Sequence, residues 1–338
     1  MRAPANHDLS RPAANAATHG GGTLVLFPGA LGDFVSFHPT LEVLSARSRR
    51  LRILVRGGLG DLLPEGPSAP RVGSLEAPEV SRLFVEGAGA ESRVRRFFAS
   101  YDAIYSWSGA KDPLFVRNLR AAARVEPRLF PFRPPGPAIR WSEYYLACVG
   151  AGAERLISAR LPLKPAAVDW AEELWRAQGL STRAVLAVAP GSGAVRKNWP
   201  LARFMEVCRW WRGETGGIPV VLLGPAEEER GMEEAIPVDA ARVFKGLSLA
   251  RLAALLARCD AYVGNDSGPT HLAAGLGVPT VAVFRVTDPR EWKPWGAEVT
   301  VVTPDGLPDP CPDPAPHGEV GTGKVVRALA PYVRESRG

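Results

Sequence analysis

Along most of this chain, short apolar runs of four to seven residues alternate with stretches whose apolar positions recur every three or four. That alternation predicts repeated strand–helix units, an α/β class built on parallel sheets. In the first half, Thr23–Phe27 (TLVLF) and Arg52–Val55 (RILV) read as buried strands, each followed by a glycine turn. Tyr101–Trp107 reads as a later strand. A helix is expected from near Phe34 to about Arg47, and another over Trp141–Gly150 that would pack Tyr144, Tyr145 and Cys148.

Leu161–Pro165 (LPLKP) carries two prolines in five residues, which breaks both helix and ladder and marks a linker. The pattern then restarts. A helix around Asp169–Gln178 leads to strand Ala184–Ala189 and helix Leu201–Arg212, in which Leu201, Phe204, Met205, Cys208 and Trp211 fall on one face. Strand Val220–Leu223, helix Leu249–Arg258, strand Ala261–Gly264, helix Thr270–Leu276 and strand Thr280–Phe284 follow. Residues 303–318 hold six prolines and read as a loop before a closing helix over Val320–Arg334. The expected organisation is a disordered tail over 1–22, an N-terminal domain over 23–165 and a C-terminal domain over 166–338. Two Rossmann-like halves would then face each other across a cleft, with ligands at the carboxyl ends of the strands.

Composition narrows the possibilities. At 338 residues with 46% hydrophobic and 22% charged side chains, the chain reads as two ordinary globular domains. No apolar run approaches the roughly 18 residues of a spanning helix, and the first 22 residues lack the apolar core of a signal peptide. Cys148, Cys208, Cys259 and Cys311 stand far apart, which suits reduced thiols and a cytoplasmic location rather than a disulfide framework. Net charge is unevenly spread: residues 1–165 hold 22 Lys/Arg against 14 Asp/Glu, or +8, whereas residues 166–338 hold 19 against 21, or −2. An acidic partner would be drawn to the first half: an acidic glycan, an anionic membrane surface or a nucleic acid. No basic helix with interleaved aromatic residues supports nucleic acid. An arginine-rich solvated surface remains the plain alternative.

Four turns after predicted strands carry candidate chemistry. In Pro28-Gly29-Ala30-Leu31-Gly32-Asp33 the aspartate faces the cleft or simply caps the next helix. A similar string, Gly57-Gly58-Leu59-Gly60-Asp61, recurs after the next strand, and neither is the GxGxxG of a dinucleotide site. The loop Ala189–Pro200 places Gly191, Ser192 and Gly193 beside Arg196 and Lys197, small residues and positive charge suited to phosphate oxygens. It does not match GxxxxGK[ST]. In Gly264–His271 (GNDSGPTH), Asp266 and Ser267 stand before a helix whose first amides, those of Gly268 and Thr270, suit a diphosphate. His271 faces the ligand or sits as a satisfied core histidine. Finally, Gly224-Pro225-Ala226-Glu227 offers a carboxylate to ribose hydroxyls, or only surface charge.

Taken together, PGALGDFVSFHPTLEVL, PGSGAVRKNWPLARF, VVLLGPAEEE, LSLARLAALLARCDAYVGNDSGPTHLAAGLGVPTVAVF and TDP resemble glycosyltransferase family 9, the ADP-heptose:lipopolysaccharide heptosyltransferases and their relatives. The resemblance runs from about residue 23 to 334. It implies a GT-B fold with acceptor bound by the first domain and nucleotide-sugar donor by the second. It also implies inverting heptose transfer without an obligatory metal or other cofactor. Carried over, Asp33 is the general base, Ser192 and Lys197 hold the donor phosphates, Glu227 lies near the ribose, and Asp266, Ser267, Gly268 and His271 form the second donor loop. Residues 244–247 would wall the base, and Arg56 and Lys111 are the acceptor-side candidates.

The resemblance further implies an ADP-sugar donor and an acidic glycolipid acceptor, and the basic first half adds an expectation of peripheral contact with the anionic inner membrane from the cytoplasmic side. Departures bear on the acceptor and the exact sugar: Phe27-Pro28-Gly29-Ala30 replaces a basic residue followed by small hydroxyl residues. Ser106 stands for a common acidic residue, Arg285-Val286 for Gly-Pro, and a cysteine-rich segment is reduced to Cys311. A non-catalytic nucleotide-sugar-binding protein and a GT-B epimerase are the competing functions.

Overall fold

The computed structural model describes residues 19–136, 139–305 and 319–333. Cys311 and most of the proline-rich segment lie outside the described residues. The first sheet is built from β1 (His19–Leu26), β2 (Ser48–Val55), β3 (Arg71–Ser74), β4 (Ala103–Ser106) and β5 (Arg128–Leu129), in the order β3-β2-β1-β4-β5. The second is built from β6 (Val185–Ala189), β7 (Ile218–Leu222), β8 (Arg242–Phe244), β9 (Ala261–Asn265), β10 (Thr280–Val283) and β11 (Val299–Val302), in the order β11-β10-β9-β6-β7-β8. Every pairing in both is parallel.

Parallel strands covered on both faces need apolar residues throughout, and β6, β9 and β10 are buried at every position. Strand order reverses between β1 and β4 and again between β6 and β9, where connections leave on opposite faces and open a crevice. Three of the four candidate turns leave β1, β6 and β9 at those switch points.

The observed boundaries depart from the sequence reading for local reasons. β1 begins at His19, inside the stretch expected as tail, because residues 19–22 extend the parallel ladder to β2. The first helix starts at Leu31 rather than Phe34, since Asp33 reaches back and holds its first turn. Pro165 opens the helix Pro165–Ala177, so the second linker proline initiates a helix rather than interrupting one. The helix Leu201–Thr215 runs three residues past Arg212 and stops at Gly216, whose φ of 60° is the left-handed conformation that glycine supplies. Strands β3, β5, β8 and β11 were not expected: they are two to four residues long, and all four are sheet edges.

The core explains the first departure from the family pattern. Phe27 is fully buried, with its ring stacked on Phe37 at 4.2 Å and edge-on to Tyr145 at 5.5 Å. Trp107 packs on the same Phe37 at 4.7 Å. Each such ring contributes about 1.5–3 kcal/mol by leaving water, so a cation at position 27 would be both unsolvated and badly packed here.

This core continues from the first sheet into the second domain through Leu272, Ala273 and Trp295. Glycines let the two domains touch: a β-carbon on Gly268 would stand 2.9 Å from the Leu31 side chain, and one on Gly32 would stand 3.2 Å from the His271 ring. The Leu161 amide also donates to the Gly275 carbonyl at 3.1 Å, so the linker is pinned rather than free.

Candidate functional site

Two of the candidate carboxylates are placed by the same local device. Asp33 and Glu227 each occupy the third position of a helix and reach back to accept from the amide of the residue before it. The Ala30 amide donates to Asp33 Oδ2 at 2.9 Å, and the Gly224 amide donates to Glu227 Oε2 at 3.0 Å. This is the return half of a capping box, and it fixes each side chain at a strand end without help from the partner domain. Asp33 therefore caps its helix and faces the cleft at once. Burial raises its carboxyl pKa above the ordinary 3.8, held back by the Ala30 amide and by the charges of His271, Lys197 and Arg133.

Across the cleft, Lys197 Nζ donates to Asp266 Oδ2 at 2.6 Å. Thr287 Oγ1 donates to the same oxygen at 2.7 Å. His271 Nε2 stands 3.8 Å from Asp266 Oδ1, and His271 Nδ1 lies 3.4 Å from the Ser36 hydroxyl of the first domain. Burial pushes the Asp266 carboxyl up, yet His271 and Lys197 more than reverse this and hold it at about 2. Lys197 at 2.6 Å is the stronger partner, because 3.8 Å is longer than a hydrogen bond. Asp266 is thus ionised at any working pH, and His271 bridges the two domains instead of serving only as a core residue.

The loop after β6 is tied to β9 by Asn265, which is fully buried. Its side chain donates to the Pro190 carbonyl at 2.7 Å and accepts from the Trp199 amide at 2.7 Å. Replacing Asn265 by alanine leaves both backbone groups without these partners in a dry site, with an expected loss of about 2–4 kcal/mol measurable by urea denaturation.

Within this loop, Ser192 is buried and lies 2.7 Å from the Ala194 carbonyl and 2.6 Å from Asn198 Oδ1. Its hydroxyl is spent on shaping the loop, which leaves Lys197 as the loop's charged group facing the cleft. The Thr270 amide is likewise committed, donating to the Ser267 carbonyl at 3.1 Å. That corrects the expectation that it faces a diphosphate. Ser267 precedes the helix Gly268–Gly275 without capping it; its hydroxyl lies 3.3 Å from that of Thr270.

Between these loops lies a cavity of about 250 Å³. Gly191, Ser192, Gly193, Glu227, Ser267 and Gly268 line its polar side, while Phe244, Leu247, Leu249 and Leu252 line its apolar side. Gly191 is required by close approach, because a β-carbon there would overlap the Glu227 carboxylate. Leu31 closes the cavity from the first domain. Apolar side chains lining the same cavity as a carboxylate and a glycine loop are the groups that a base, a ribose and a diphosphate call for.

Arg56 and Lys111 are exposed, at the carboxyl ends of β2 and β4. The first-domain cation whose charge acts on Asp33 is instead Arg133, which sequence reading missed because it sits in a proline-rich segment without a strand or helix signal. Thr287 was quoted only as part of the TDP motif, and Asn265 only as part of its turn.

Comparison with known proteins agrees with this geometry. Residues 158–313 match the profile of glycosyltransferase family 9 (heptosyltransferase). A putative glycosyltransferase of Haemophilus influenzae is 32% identical over 113 residues, covering 32% of this chain and 33% of that protein. Lipopolysaccharide heptosyltransferase 1 of Pseudomonas aeruginosa is 36% identical over 99 residues, covering 29% and 28%. The aligned stretches thus span about a third of these relatives' length.

Among solved structures, a family 9 glycosyl transferase from Veillonella parvula superposes with a TM-score of 0.73 at 19% identity, over 94% of this chain and 98% of that one. The E. coli ADP-heptose lipopolysaccharide heptosyltransferase II gives 0.65 at 19% identity, over 92% and 98%. E. coli heptosyltransferase WaaC, solved with ADP, gives 0.61 at 15% identity, over 92% and 99%. These structural likenesses carry the GT-B fold, and the Haemophilus and Pseudomonas sequence matches are confined to about a third of those relatives' length. Residues 158–313 thus resemble glycosyltransferase family 9 (heptosyltransferase), and the chain as a whole has the GT-B fold of two Rossmann-like domains.

Proposed function

We propose that this chain is an inverting glycosyltransferase that moves heptose, or a closely related sugar, from an ADP-sugar to an acidic surface glycan of the lipopolysaccharide-core type. The observation that carries it is the placement of Asp33. A half-buried carboxylate with a raised pKa faces, across the cleft, a lysine and a histidine that stand beside a cavity of about 250 Å³.

In the proposed reaction Asp33 takes the proton of the acceptor hydroxyl, and that oxygen attacks the anomeric carbon. The bond from that carbon to the β-phosphate oxygen breaks, and nucleoside diphosphate leaves from the opposite face. Lys197 and the amides of the loops after β6 and β9 offset the developing charge, which gives a route that needs no metal. Gly191, Ser192, Gly193, Ser267 and Gly268 frame the diphosphate, with Glu227 near the ribose and Phe244 and Leu247 against the base. The basic first half, with Arg133, Arg56 and Lys111 on the cleft side, suits a phosphate- and carboxylate-rich acceptor and peripheral contact with an anionic membrane at its cytoplasmic face. No helix among the described residues is long and apolar enough to cross a membrane.

Calorimetric titration with ADP, UDP, GDP and dTDP in the absence of metal tests the donor half. Micromolar binding selective for ADP is the expected outcome, followed by turnover of ADP-heptose on a lipopolysaccharide-core acceptor. Selectivity for another nucleotide would replace the sugar and keep the fold. Release of free sugar without acceptor would favour an epimerase, and binding without turnover would favour a non-catalytic nucleotide-sugar-binding protein.

A further inference from the structure

Residues 287–295 run as a strap between the two domains, and each end of it is fastened to a different one. At its start Thr287 donates to Asp266, and Asp288 caps the short helix Pro289–Trp292 by accepting from the Arg290 amide at 2.8 Å. At its end Trp295 is almost fully buried, and its indole N–H donates to the Val35 carbonyl at 2.6 Å. That carbonyl is available for a physical reason. Pro39 lies inside the first helix four residues on and has no N–H to give it. Arg140 adds two bonds from the first domain, donating to the Lys293 carbonyl at 3.2 Å and the Pro294 carbonyl at 2.6 Å.

Trp292 sits between these anchors. Its ring stacks against Trp141 of the first domain at 4.1 Å with an interplanar angle of 32°. Lys197 Nζ lies 5.5 Å from the centre of the same ring, within the range at which a cation is attracted by an aromatic face. Trp141 in turn packs edge-on against Tyr145 at 6.2 Å, and the charge of Asp33 acts on Tyr145. One indole therefore touches the lysine of the second domain and an aromatic wall of the first.

We propose that Trp292 is a positioning residue: stacked on Trp141, it seats the Lys197 ammonium in the cleft, so that the lysine's place depends on how the first domain is docked. This rests on the reading that Lys197 meets the donor diphosphate. Salt-bridging to Asp266 fixes one end of the ammonium's environment, and the ring fixes the other. Opening the cleft would separate Trp141 from Trp292 and loosen the lysine; closing it would restore the pose when both substrates are present.

The chain has six lysines, so lysine-selective ¹³C labelling gives a spectrum in which Lys197 is assigned by its loss in Lys197→Met. In the wild-type protein the Lys197 ε-methylene protons are expected upfield of the other lysines, shifted by the ring current. Trp292→Leu keeps apolar bulk but removes the ring. It should return the resonance toward that of solvated lysines and weaken ADP binding about 3–10-fold, the span of a partly desolvated cation–π contact. Trp141→Leu should move the same resonance although it never touches Lys197, and Trp292→Phe should restore both signal and affinity.

An unmoved Lys197 resonance in Trp292→Leu overturns the proposal. So does a moved resonance with unchanged ADP affinity. A wild-type protein that binds no nucleotide would sink the donor-site reading instead, and the resonance would still decide whether the strap seats the lysine.

Discussion

Asp33→Asn is expected to lower turnover by about 10²–10⁴-fold while nucleotide affinity stays unchanged, the span that a positioned general base supplies. The substitution keeps size and polarity, and its side-chain oxygen still accepts from the Ala30 amide, so the first helical turn should hold. What it removes is the lone pair that takes the acceptor proton. Burial raises the Asp33 pKa above 3.8, and the base works only when ionised. In the wild type, kcat/KM should therefore rise with pH through that raised value and level off above it. The limb should vanish in Asp33→Asn. Steady-state kinetics across the acid range, paired with calorimetry of ADP, separate this from a folding defect. Residual turnover near wild type would remove the general-base assignment and leave the fold untouched.

The second large effect concerns Lys197. Lys197→Met should reduce turnover about 10²–10³-fold, because the charge that offsets the leaving diphosphate is gone. It should also cost about 2–4 kcal/mol of stability: Asp266 is 4% exposed and would lose its closest cation, although the partial exposure of Lys197 keeps the figure below that of a fully buried pair. The double variant Lys197→Met/Asp266→Asn should recover much of the stability and none of the turnover, since no buried charge is then left alone.

The pH dependence has a definite sign. Asp266 titrates at about 2 in the folded protein against 3.8 ordinarily, so its contribution is complete above 3.8 and is lost as pH falls through about 2. In Lys197→Met the burial penalty is less opposed, the folded pKa rises, and that contribution shrinks or reverses. Urea denaturation at several pH values reads both effects. Full stability in the single variant would mean that water solvates Asp266 and that the ion pair is not the cleft's anchor.

Much of the fold around the candidate site was legible because its signals are local. Buried parallel strands announce themselves as short apolar runs, and Gly191, Ser192 and Gly193 beside Lys197 announce a loop at a strand end, which the structure places on the cavity wall. The carboxylates Asp33 and Glu227 are set by their own helix starts, so position in sequence already implied position in space. Reading failed where a side chain's work is decided by a distant partner. The Ser192 hydroxyl looked free and is spent on Ala194 and Asn198; the Thr270 amide looked free and is spent on Ser267. Edge strands such as β3 and β8 are too short to show a period, and they exist because an adjacent strand offers a ladder.

The first domain shows the same division more sharply. Arg56 and Lys111 stand exposed past the strand ends, whereas the first-domain cation whose charge acts on Asp33 is Arg133, brought there by a segment with no periodic pattern. Phe27, a departure when read against the family pattern, is explained by Phe37 and Tyr145, which are near it only after folding.

By itself, then, the sequence determined the α/β class, the two halves, the switch-point turns and the residue types of the candidate site, because propensity, capping and burial periodicity act over a few residues. Tertiary structure alone decided that Asp33 faces Lys197 and His271, that Asn265 ties the β6 loop to β9, and that Trp292 and Trp295 strap the domains together. Those contacts join residues tens to hundreds of positions apart, and only the packing of the two sheets brings them within bonding distance.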